Sequence, residues 1–63
     1  MTQKELLYVE DAIGHEKNMI SILETTINTI ETKELKAFLK GELKKHNNMK
    51  ERLLKCLEVL SNE

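Results

Sequence analysis

Three polar side chains, Glu16, Glu42 and His46, interrupt two otherwise apolar series in this 63-residue sequence. Carboxylate oxygen and neutral imidazole nitrogen are ligands that suit Fe, Zn or Mn, so these residues, supplied twice, would hold a divalent metal. The same groups would equally form a hydrogen-bonded Glu–His layer that fixes one pairing register inside an apolar interface. The layer is the simpler reading. Glu42 stands four residues before His46, on the same face of a helix, and counts as a ligand candidate with Glu16 and His46. His15 lies at the margin of its series, where a solvated histidine is the commoner case; it is a fourth candidate. The single Cys56 reads as a small buried thiol on an apolar face, and Met19 and Met49 read as gap fillers. The series Lys36, Lys40, Lys44, Lys45 reads as a solvated face. There is no Gly-rich phosphate loop, Ser-His-Asp set or paired carboxylate dyad, so catalysis is not expected.

The elements that carry these residues are legible as two helices. Thr2 and Glu5 have the spacing of a capping box, which starts the first helix near Gln3. Leu6, Val9, Ile13, Glu16, Ile20, Leu23, Ile27 and Ile30 then follow alternating steps of three and four, one face of a helix spanning about residues 3–30. The stretch Thr25-Thr26-Ile27-Asn28-Thr29-Ile30 is β-branched, so the end is expected to fray near Asn28. Thr32 is a good N-cap and Glu34 suits the positive end of a second helix, about residues 33–60. Its stripe reads Leu35, Leu39, Glu42, His46, Met49, Leu53, Cys56 and Leu60, widened by Phe38, Leu43, Leu54 and Leu57. With so short a connection the helices return as an antiparallel two-helix hairpin. Levels whose numbers add to about 65 then face each other, which sets Glu16 opposite Met49 and one turn from His46.

Composition agrees with an all-α chain. The apolar fraction is 40%, with only one Tyr, one Phe and no Pro, whereas a sandwich or barrel needs turn residues every ~8–12 positions. Ten Lys and Arg against 11 Asp and Glu leave a net charge of −1, so no basic field exists for nucleic acid. The longest apolar run, Leu6-Leu7-Tyr8-Val9, is far short of the ~20 residues that span a bilayer. No nucleic-acid or membrane partner is therefore expected, and the location expected is the cytoplasm. A core of this size supplies about 3–5 kcal/mol at best. The remaining burial is expected from self-association, with a homodimer closing two hairpins into a four-helix bundle and bringing Glu16 and His46 of both chains into one central layer.

The run Glu5-Leu6-Leu7-Tyr8-Val9-Glu10-Asp11-Ala12-Ile13-Gly14-His15-Glu16, with Thr32-Lys33-Glu34-Leu35-Lys36 and His46, resembles the small spore coat F-type proteins of spore-forming Firmicutes. The resemblance covers nearly the whole chain. It implies a ferritin-like helical fold, a structural role among other spore coat proteins and no established catalysis. Lys33 stands where that family commonly has Pro, and the second hairpin of its longer members is missing here. Ferritin-like di-iron sites use Glu-x-x-His, but the residue three before His46 is Leu43, so a full di-iron oxidase site is not expected. His15-Glu16 is also similar to the phosphoacceptor pair of sensor histidine kinases, which makes a histidine-phosphorylated dimeric adaptor the alternative. In that family Arg, Thr and Pro follow; here Lys17, Asn18 and Met19 do. The short sporulation phosphatases need a Ser-Gln-x-Leu-Asp signature that this sequence lacks.

Overall fold

The capping box predicted from Thr2 and Glu5 is formed. In the computed structural model, which describes residues 1–61, the Thr2 hydroxyl accepts from the Glu5 N–H at 3.1 Å and the Glu5 carboxylate accepts from the Thr2 N–H at 2.7 Å. The single-domain expectation for residues 1–63 extends over positions 62 and 63, which lie outside the described residues. From this cap, helix α1 runs Gln3–Thr29. Its β-branched end stays helical through Thr29, one residue past the expected fraying point. The reason is local: the Thr26 and Thr29 hydroxyls each donate to the carbonyl four residues back, Ile22 and Thr25, at 2.8 Å, spending their polarity inside the helix rather than against it. Ile30 leaves the helix in an extended conformation while its N–H still bonds to the Thr26 carbonyl. Helix α2, Lys33–Ser61, opens with the Lys36 N–H on the Thr32 carbonyl.

The two helices pack against each other as a hairpin 47 Å long, 15 Å wide and 11 Å deep across its Cα atoms. It is one layer thick. Among the described residues the buried side chains all belong to α1: Ile13, Ile20, Leu23 and Ile27. They sit on the stripe read from the sequence, whose other four members, Leu6, Val9, Glu16 and Ile30, are half-buried.

On α2 the packed line differs from the expected one. Leu39, Leu43, His46, Lys50, Leu53, Leu57 and Leu60 are the half-buried series, again in steps of four and three, whereas Leu35, Met49 and Cys56 are exposed. Phe38 and Leu54 are exposed as well. Cys56 is thus no buried thiol in the single chain. The apolar arc of α2 is wider than one helix can cover, and α1 occupies only one side of it.

Two measurements follow. Thr2→Ala should cost about 1 kcal/mol through the lost cap. The Thr2 N–H and then its hydroxyl hold the Glu5 carboxyl below its ordinary pKa of 4.5, so the cap's contribution is complete above that value and fades as the pH falls through the lowered one. Helicity of Glu5→Gln and the unsubstituted chain should therefore differ at neutral pH and converge in acid. Separately, a Cβ built at Gly14 or Gly41 meets nothing within 4 Å, and both residues have negative φ inside helices. Gly14→Ala and Gly41→Ala should each stabilise by about 0.5–1 kcal/mol in urea unfolding.

Candidate functional site

Glu16 and His46 meet within one chain. His46 Nδ1 stands 2.5 Å from Glu16 Oε2, joining the two helices near mid-length; the side chains are 28% and 19% exposed respectively. Their numbers add to 62 rather than 65, because the chain turns around Glu31 and not a residue or two later. Glu16 therefore faces His46 itself, where the sequence placed Met49 opposite it. A dimer is not needed to bring the pair together.

The arrangement has definite chemistry. An ionised carboxylate only accepts, so this contact suits the tautomer in which Nδ1 donates to Glu16. In the neutral ring Nε2 is then left with its lone pair, the arrangement seen wherever a carboxylate orients a ligating histidine. The other two candidates are placed elsewhere. Glu42 is engaged by Lys45, one turn on, at 3.3 Å, and His15 is exposed on the flank of α1. Among the described residues of a single chain, no three His, Cys, Asp or Glu groups come together as a metal-holding set. One chain thus presents a two-residue layer. Lys50 joins the packed line of α2 as a half-buried residue, which the sequence reading left unmarked.

Two shallow apolar grooves lie toward the open end of the hairpin. One, about 580 Å³, is lined by Arg52, Cys56, Val59 and Leu60 with Glu51 and Lys55. The other, about 470 Å³, lies between the two helices, where Tyr8 and Val9 approach Leu60 beside Met1 and Glu5. Tyr8 and Val59 stand on neither stripe read from the sequence, although each lies one position before a packed residue and shares its three-four spacing. Among the described residues, no helix is long and apolar enough to cross a membrane. Comparison with protein-family models, curated proteins and solved structures found no match to this chain.

A double-mutant cycle measures what the layer contributes. His46→Leu alone leaves the Glu16 carboxylate half-buried without its partner and should destabilise by about 1–3 kcal/mol. Glu16→Leu with His46→Leu should recover most of that loss or exceed the starting stability, because two apolar groups replace both members. Urea unfolding of the four chains checks both outcomes.

Proposed function

We propose that this chain is a non-catalytic assembly protein, a ferritin-like hairpin that works as a homodimeric four-helix bundle in or around the spore coat. The observation that carries the assembly reading is surface. The chain exposes 5079 Å², roughly 900 Å² more than the ~4,200 Å² expected of a compact monomer of its mass. A standard interface removes about 800 Å² from each partner. The radius of gyration, 14.5 Å, likewise exceeds the ~11 Å of a compact chain of this length and is close to the ~14 Å of one twice as long. The spore coat assignment rests on the resemblance of the first-helix run and the Thr32–Lys36 segment.

A second reading has one observation in its favour: His46 Nδ1 faces the Glu16 carboxylate, the arrangement in which a histidine offers Nε2 to a metal. Two chains placed about a common centre would offer two such nitrogens to Fe, Zn or Mn. Glu42 would add oxygen donors by leaving Lys45, and His15 lies nearby on the flank.

Light scattering on the purified protein should give twice the 7.3 kDa chain mass, and the transcript should appear during sporulation. A stable monomer at micromolar concentration would remove the assembly reading; confinement to vegetative growth would remove the coat. Phosphate transfer from a phosphodonor or receiver domain, lost in His15→Ala, would replace both with a phosphorylated adaptor. Bound metal in the wild type that is absent from His46→Leu would establish the second reading.

A further inference from the structure

Each helix carries a second series, one position before the packed one. Beside Val9, Ile13, Glu16, Ile20, Leu23 and Ile27 run Tyr8, Ala12, His15, Met19, Ile22 and Thr26. On α2 the corresponding series is Leu35, Phe38, Glu42, Lys45, Met49, Arg52, Cys56 and Val59. A shift of one residue is a rotation of about 100° about a helix axis. Because the helices are antiparallel, the same shift carries both series to the same broad face of the hairpin. Among the described residues, seven of the ten exposed large hydrophobic residues fall on it, with Tyr8, Ile22 and Phe38 at 61%, 58% and 62% exposure. The groove between Tyr8 and Leu60 opens on it as well. The opposite face carries Glu10, Lys17, Ser21 and Glu24 on α1 and Lys40, Lys44 and Asn47 on α2, with Leu7 and Leu54 as its exposed large hydrophobic residues, and is mainly polar. The exposed apolar surface is therefore one-sided.

We propose that a second copy of this chain covers the Tyr8–Ile22 and Phe38–Val59 face, with the two hairpin turns at opposite ends. This rests on the dimer reading above and specifies its interface. The excess of roughly 900 Å² matches what one partner gives up in a standard interface. Register follows from the order of residues in the series. A two-fold axis in the plane of that face, crossing the helices at the level of His15 and residue 47, sets α1 on α1 and α2 on α2. Leu35 then meets Val59 of the second copy, Phe38 meets Cys56, and Glu42 meets Arg52; on the other helix Tyr8 meets Ile22. The large ring of Phe38 faces the small Cys56, and Glu42 lies between its own Lys45 and the copy's Arg52. The axis level is also the level of the Glu16–His46 pair, so both pairs flank it. Placing the turns at the same end instead sets α1 over α2, with the Glu42 carboxylate under the apolar Met19. Electrostatic complementarity favours opposite ends.

The test separates dimerisation from the face that mediates it. Sedimentation of Ile22→Lys, whose side chain is exposed in the single chain, should show dimer affinity weaker by roughly 30-fold or more. Crosslinking with a short bismaleimide reads the register independently of that loss. Phe38→Cys should link two chains through the introduced thiol and Cys56, whereas the wild type, with Cys56 residues ~27 Å apart along the bundle, should not. A wild-type monomer would defeat the dimer reading and this one together. A wild-type dimer that Ile22→Lys leaves intact and Phe38→Cys does not crosslink would defeat this face alone. Crosslinking through Tyr8→Cys and not Phe38→Cys would overturn the opposite-end register.

Discussion

A hairpin of two helices is a single layer, and a single layer cannot enclose both apolar arcs of its own helices. That constraint governs this molecule. α1 turns Ile13, Ile20, Leu23 and Ile27 toward α2, where they are buried, and leaves Tyr8, Met19 and Ile22 exposed beside them. The arc of α2 is broad, and α1 reaches only the line through Leu39, Leu43, Leu53 and Leu57. Among the described residues none of α2 is buried, and Leu35, Phe38, Met49 and Val59 remain open to water. Surface area, slab-like shape and one-sided apolarity are three expressions of the same geometry.

Within the covered seam, Glu16 and His46 act as a positional key. Apolar stripes repeating every three and four residues would pack nearly as well after sliding by one heptad. Such a slide would part Nδ1 from the carboxylate and leave both groups half-buried against aliphatic neighbours. The cost of unpaired polar groups in such surroundings is about 1–3 kcal/mol, a large share of the stability available to 63 residues. The polar pair and the short turn at Ile30–Thr32 thus specify the same alignment, one by chemistry and the other by chain length.

How far the sequence revealed this differs between the helices for a physical reason. All eight positions of the first stripe are legible because the Ile and Leu residues that pack against α2 recur without interruption at steps of three and four. On α2, apolar residues at Leu35, Phe38, Leu39, Leu43, Met49, Leu53, Leu54, Cys56 and Leu57 define an arc whose middle periodicity alone does not locate; Leu35, Met49 and Cys56 were assigned inward and face out. The Glu16–His46 pair is recognisable from residue type, but its level is displaced by three residues, nearly one turn, since the position of the bend depends on where Thr29 stops being helical. The Thr26 and Thr29 back-bonds that decide this leave no pattern in the sequence beyond the threonines themselves.

If the hairpin is half of a core, folding and association are one equilibrium. The urea midpoint should then depend on how much chain is present. Raising the chain concentration a hundredfold adds about 2.7 kcal/mol to the unfolding of a dimer into two chains, which moves the midpoint up by about 1–3 M at urea slopes typical of small proteins. Circular dichroism across that range should show this rise. A midpoint that stays fixed while the chain concentration changes a hundredfold would contradict the account, because the two helices would then be stable with their open face in water.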